Sequence, residues 1–444
     1  MVPELNKDVM QAVESLKYRV TVGEVAANAG LNVEMAQQGL LVLASETQGH
    51  MQVSETGEIA YEFPKNFRSV LRNKYWRLRY QELLAKIWQV VFYIIRLSFG
   101  VMLLVSIAII AIAIIALMIA ASSQGGGSSS NNDRRGRGGS FGFSPFHIFY
   151  LFDFNYGRGR RRYPNQYSGR YSGGGRSRAQ SADKLQFLEA IYSFLFGDGD
   201  PNADLEERRW QTIGTVINNN GGAIVAEQVA PYLDDLGKGF EKEYEDYMLP
   251  VLTRFNGQPE VSPTGDMVYY FPELQVSAME RRKASVSAYL KETKRKFTQA
   301  TSDQVMLAIG LGSANIIGAV VLQNMLQSAL AQGLQLPVAA VFAQSILGLL
   351  MVYGVSFLVI PLLRYNWVKW QNGKIESRNS DRAERATALN RLGEAFQQKL
   401  AFAQQFASRK VLNESEAVYS TETDLVEQGG DPLEAEFRRR LNEI

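Results

Sequence analysis

Cysteine is absent from the 444 residues, which excludes disulfides, thiolate metal sites, thiolate-held iron–sulfur clusters and cysteine nucleophiles within the chain. Histidine is nearly absent too. With only His50 and His147, a Ser-His-Asp centre or a His-rich metal site has almost no material, and His50, at the start of an expected hairpin, reads as a turn residue. The opening MVPE has no basic n-region and no apolar h-region follows, so no cleaved targeting signal is expected. Membrane insertion then relies on internal segments. No catalytic residue, cofactor or metal ligand is assigned, and an enzyme is not expected.

Charge is missing from two long stretches. Residues 97–132 carry none, and VMLLVSIAIIAIAIIALMIAA at 101–121 has the length of about 20 residues that a spanning helix requires. Residues 304–363 divide into two apolar runs around a Gln-rich link that ends in Leu336-Pro337, the pattern of a transmembrane hairpin. Basic residues gather at the flanks, which the positive-inside rule places on the cytoplasmic or stromal face. Arg68, Arg72, Lys74, Arg77 and Arg79 precede the first span, and Arg281, Arg282, Lys283, Lys294, Arg295 and Lys296 precede the second. Read as helical stems at 66–96 and 275–303, these residues either contact anionic lipid or serve topology alone. Gly310-Leu-Gly312 imitates a dinucleotide fingerprint, but it lies inside a span and lacks the third glycine. Gly310, Ala314 and Gly318 read better as a helix-packing stripe, which also allows an oligomer through the spans.

An internal repeat organises the rest. MQVSETGEIAYEFP at 51–64 and PEVSPTGDMVYYFP at 259–272 share V-S-x-T-G and an aromatic-Phe-Pro ending, so each is expected to be a β-hairpin turned at its glycine. Upstream of the first lie three helical segments, at 6–20, at 22–29 closed by Gly30, and at 33–45 capped by Asn32. Upstream of the second lie segments at 206–219, 225–233 and 240–254, the last kinked by Pro250. Three helices and a hairpin is the winged-helix plan. The expected fold class is a mainly α membrane protein with α+β soluble modules, two winged-helix-like domains in tandem repeat, each followed by transmembrane helices. The boundaries are a first winged helix at 1–65, a basic helix at 66–96, a span at 97–122 and a Gly/Ser/Arg-rich linker at 123–182. That linker contains a Phe-rich interfacial or re-entrant segment at 141–156. A second winged helix follows at 183–274, then a basic helix at 275–303, the hairpin at 304–363, and an amphipathic helix with an acidic tail at 364–444.

Winged helices suggest DNA, but the charges here are wrong for it. The third helix of the first copy offers Glu34, Gln37 and Gln38 with no basic residue, and formal charges of about −5 on 4–65 and about −8 on 204–274 repel a polyanion. The linker, with Arg158-Gly-Arg160-Arg161-Arg162 near Tyr163 and Tyr167, either touches lipid headgroups or stacks on RNA. Asp198, Asp200 and Asn202 have the opening spacing of an EF-hand, but Ala203 and Arg209 stand where Gly and the bidentate Glu belong.

FLEAIYSFLFGDGDPN at 187–202, preceded by FSPFHIFYLFDFNY at 143–156, resembles a membrane protein family shared by cyanobacteria and plant chloroplasts, whose plant members carry an iron–sulfur cluster biosynthesis label. The resemblance implies a plasma, thylakoid or other plastid membrane in a photosynthetic organism. Without Cys, this chain offers no cluster ligands to match the label. The expected function is a non-enzymatic scaffold or assembly factor that binds protein partners and anionic membrane but not nucleic acid. The alternatives are a membrane-tethered nucleic-acid regulator and a transporter component.

Overall fold

The computed structural model of the chain describes residues 6–74, 76–124, 187–238, 243–389, 391, 393–413 and 417–422. Helices dominate, with three small sheets among the described residues. Two compact units form: Met1–Leu84 with Asp200–Lys294 and Asn372–Ile444, and Ala85–Gly199 with Arg295–Gln371.

In the first unit, α1 (Lys7–Ser15) leads through β1 (Arg19–Thr21) to α2 (Val22–Ala29) and α3 (Val33–Thr47), then to the hairpin β2 (His50–Ser54) and β3 (Ile59–Glu62). Local chemistry sets each boundary. Asn6 and Asn32 accept from the amides of Asp8 and Glu34 at 2.9 and 2.8 Å, while Thr21 and Glu24 form a capping box and Gly30 closes α2 in the left-handed region. The first helix ends sooner than its periodicity suggests. Lys17 and Tyr18 both take positive φ, which frees Val20 to join β1, paired with β3.

The second module repeats the order with α7 (Leu205–Asn219), β4 (Ala223–Ile224), α8 (Ala226–Val229), α9 (Leu249–Phe255), β5 (Gln258–Val261) and β6 (Met267–Tyr270). Sheet order is β1-β3-β2 in the first module and β4-β6-β5 in the second. The hairpin turns match bond for bond. Ser54 and Ser262 donate their amides to Glu58 and Asp266 at 3.0 and 2.8 Å, and their hydroxyls accept from those residues' amides at 3.2 and 3.0 Å. Gly57 and Gly265 supply the required φ of +87° and +88°. The kinked helix expected at 240–254 is corrected: α9 begins at Leu249 with Pro250 in its first turn, where proline sacrifices no hydrogen bond. Both modules share one core that runs through Val25, Leu40, Ile213, Phe255 and Phe271.

The expected basic helix at 275–303 is also corrected. After α10 (Pro272–Gln275) and β7 (Val276–Ser277), residues 278–301 form no helix. In the first unit three residues of this strap have both peptide groups bonded by a side-chain amide instead. Asn219 bonds the carbonyl and amide of Ala284 at 2.8 and 3.0 Å, Asn379 those of Glu292 at 2.9 and 2.9 Å, and Asn202 those of Thr293 at 2.8 and 2.8 Å. The single amphipathic helix expected beyond 374 is split at Gly393. α13 (Glu394–Phe406) packs Phe396, Leu400 and Ala403 against Val225 and Val268 of the second module. The tail then adds β8 (Lys410–Val411) beside β7 and β9 (Ala417–Ser420) antiparallel to β2. Met51 and Thr421 exchange bonds at 2.8 and 3.0 Å there. Aligning Ser262 with Ser54 puts Pro259 at the place of Met51, so β5 lacks the matching donor.

The second unit contains most of α5 (Trp76–Gln124), all of α6 (Phe187–Phe196) and α11 (Ser302–Ala331), and α12 (Val338–Leu389) up to Gln371. Among the described residues three helices are long and apolar enough to cross a membrane, and at most a third of their most apolar windows is buried. Outward side chains such as Met306, Ile317 and Val352, exposed by 73, 57 and 64%, suit a lipid solvent and not water. α6, expected within the second winged helix, belongs to this unit instead, because its apolar face packs on Leu103, Leu311 and Phe357. The Phe-rich segment at 141–156 lies outside the described residues.

Two glycines test the packing with opposite signs. An added Cβ at Gly23 would overlap the Glu273 carbonyl, whereas at Gly373, on an exposed helical turn, it would meet nothing within 4 Å. Thermal unfolding of the detergent-solubilised chain should show Gly23→Ala destabilising by about 1–3 kcal/mol and Gly373→Ala stabilising by about 0.5–1 kcal/mol.

Candidate functional site

The outward face of α3 and the adjoining wing carry the most distinctive accessible chemistry of the first module. Met35 and Leu41 are 52 and 43% exposed, and Glu34, Gln37 and Gln38 are exposed on the same helix without a lysine or arginine. On the wing, Glu58 accepts from Ser54 at 2.6 Å and from Lys410 at 2.9 Å. Burial alone would raise this carboxylate, but hydrogen bonds from Ser54, Thr56 and Lys410 outweigh it and bring the pKa to about 2. The second module differs. Arg254, next to the end of α9, stacks on Trp210 at 4.5 Å and donates to the Gly30 carbonyl at 2.7 Å, tying this helix to the first module. Glu245 accepts from buried Lys399 at 2.7 Å and from Tyr269 at 2.8 Å.

The basic residues of the stems sort into different roles. Arg281 is engaged within the fold: its Nε lies 2.6 Å from buried Glu24, and it also donates to the Leu16 and Arg19 carbonyls. Lys294 pairs with Glu376 at 3.0 Å, Arg295 lies over Trp367 at 5.3 Å, and exposed Arg68 pairs with Glu14. Arg282, Lys283 and Lys296 are exposed. The side chains of Arg72, Lys74, Arg77 and Arg79 lie outside the described residues. Of the packing stripe, Gly318 fits, since a Cβ there would sit 2.9 Å from Ile110, and Ala314 is half-buried. Gly310 is exposed with nothing near its Cβ position. Gly312 makes the close approach instead, 2.6 Å from Phe357. Asn315 donates to Ser106 at 2.8 Å, a buried bond between spans.

Sequence reasoning missed the ionic clusters that hold the strap. Arg378 donates to Glu292 at 2.7 Å, and Arg382, 1% exposed, lies 3.0 Å from the same carboxylate and also pairs with Asp234. Burial would raise the Glu292 carboxyl, but Arg378 and Arg382 together hold it below the usual range. Partners some 86 residues apart in the chain leave no local signal in a sequence. The EF-hand-like residues serve the strap as well: Asp198 accepts from the Gln299 amide at 3.0 Å in the second unit, and Asn202 makes its clamp in the first. Among the described residues no group of three or more acidic or His side chains is placed to hold a metal. Glu292→Gln leaves buried Arg382 short of a counter-charge and should destabilise the chain by about 3–5 kcal/mol. The exposed-pair control Arg68→Gln should change stability by less than about 1 kcal/mol in the same denaturation experiment.

No family model matches the chain, and no solved structure matches it. A curated relative does: the Arabidopsis thaliana protein described as "Uncharacterized protein At5g03900, chloroplastic" is 36% identical over 457 aligned residues, taking in 99% of this chain and 83% of the relative. A chloroplastic relative and three long apolar helices are compatible with a membrane protein of plastids. With that identity over nearly its whole length, the chain belongs to the family of this chloroplastic protein.

Proposed function

We propose that the chain is a non-enzymatic membrane scaffold or assembly factor of photosynthetic membranes, which docks a protein partner on the outward face of α3. The observation that carries this reading is the exposure of Met35 and Leu41 beside Glu34 on a helix with no basic residue. Exposed apolar side chains on either side of Glu34 and Gln38, with no basic residue on the helix, favour a protein partner over a phosphate backbone. The shared element and strand order support reading both modules as winged helices that arose by duplication. In the second of them, the third helix packs against the first module and is less open to a partner. Met35→Asp with Leu41→Asp should abolish co-purification of the partner from native membranes while leaving the melting temperature of the chain unchanged. Micromolar binding of duplex DNA by the full chain, steeply salt-dependent, would return the nucleic-acid regulator as the better reading.

We also infer that both modules lie on one face of the membrane, the stromal or cytoplasmic one favoured by the basic flanks. Their common core supports this, since a bilayer cannot divide a continuous hydrophobic interior. The absence of native cysteine makes the test clean. Thr56→Cys and Thr264→Cys, both at exposed turn positions, should react with an impermeant maleimide from the same side of sealed vesicles. Labelling of one with protection of the other would place the modules on opposite faces.

A further inference from the structure

We propose that the first unit contains an oxyanion site, a cleft that takes the phosphate group of either a soluble phosphate compound or an anionic lipid headgroup. The site is separate from the α3 surface and does not depend on the partner-docking reading. The cleft has a volume of about 120 Å3 and opens between α2 and the C-terminal end of α7, where Asn28, Thr215, Asn218, Arg281, Arg282 and Arg409 line it. A second hollow of about 310 Å3 shares Asn219 and Arg409 with it and adds Lys283, Asn220 and Gln404. Together they form a trough with room for an oxyanion and for what it is attached to.

Charge decides what the trough accepts. Glu24 also faces the cleft, but its carboxylate is engaged by Arg281 at 2.6 Å, by the Ser277 hydroxyl at 2.6 Å and by the Ala278 amide at 3.2 Å. That pair is fixed and cancels. The carbonyl end of α7 adds roughly half a negative charge. Against it stand Arg282, Lys283 and Arg409, all exposed and, among the described residues, without a carboxylate partner. Several other arginines of the unit are matched by carboxylates: Arg209 with Glu206, Arg378 with Glu292, Arg382 with Glu292 and Asp234. Two guanidinium groups and an ammonium are thus concentrated on one concavity of a unit whose modules are otherwise acidic. Guanidinium forks match the paired oxygens of a phosphate, and the Asn218 amide offers a further donor.

The test uses the full chain in a non-ionic detergent, titrated with inorganic phosphate, with dihexanoyl-phosphatidylglycerol and with the matching phosphatidylcholine. Binding is read by calorimetry and by the rise in melting temperature. The expected result is saturable, salt-sensitive binding of at least one anion, weakened about tenfold or more by Arg282→Gln with Arg409→Gln. Both residues are exposed, so the unliganded melting temperature should stay at the wild-type value, and each single substitution is measured to guard against misfolding of the pair. Phosphate binding that the glycerolipid does not improve identifies a soluble phosphate compound as the source. Tighter binding of phosphatidylglycerol, with phosphatidylcholine inert, identifies a headgroup. The proposal is overturned if neither anion binds at about 10 mM, or if binding survives both substitutions undiminished.

Discussion

A polypeptide that lies across a folded surface in neither helix nor sheet must still find a partner for every peptide group it buries. In this protein side chains meet much of that demand: Glu24 and Arg19 take the amide and carbonyl of buried Ala278, and Asn379 takes those of buried Glu292, a primary amide carrying the same donor and acceptor as the backbone it bonds. Asn219, Asn379 and Asn202 each grip one residue of the strap by both its N–H and its C=O. The ion pairs Glu24–Arg281 and Glu292–Arg382 sit on the same path. Without those grips the buried carboxylates would lose their fixed partners, and the two modules and the C-terminal part of α12 would lose a common surface in the first unit. The strap is therefore an architectural element, although it has no regular secondary structure.

The second unit follows a different rule. Its helices bury small side chains such as Ala308, Gly312 and Ala319 beside larger ones such as Leu311 and Phe357, and turn other large apolar side chains outward, an arrangement suited to a setting where lipid and protein compete for apolar contact. A buried polar bond, Asn315 to Ser106, adds specificity without a charge.

Local signals were readable in the sequence and long-range ones were not. Thr21–Glu24, Asn32 and Gly30 mark helix ends within a few residues, and the V-S-x-T-G turn carries its whole hydrogen-bond set in adjacent positions. The apolar runs of the spans were equally plain. The strap is not legible locally, because its Lys and Arg residues have the pattern of an exposed helical stem while the groups that bind it come from three distant segments. For the same reason the pairing of Arg281 is invisible in the sequence: Glu24 is 257 residues away. Gly310 and Gly312 differ only in which side of α11 they occupy, and the composition of the helix does not reveal that.

The tail strand β9 raises a matter of timing. It reaches β2 from 370 residues further along the chain, so the first module, although made first, gains its fourth strand only after nearly everything else has been synthesised. At that moment the tail confronts two hairpins that share the V-S-x-T-G turn and the aromatic-Phe-Pro ending, seven of fourteen residues in all. Proline in place of Met51's counterpart removes one donor from the competing edge, a difference of about 1 kcal/mol that favours the correct choice. A single imino acid thus leaves β2 with a donor that β5 lacks, which biases the tail toward the pairing seen without forbidding the other.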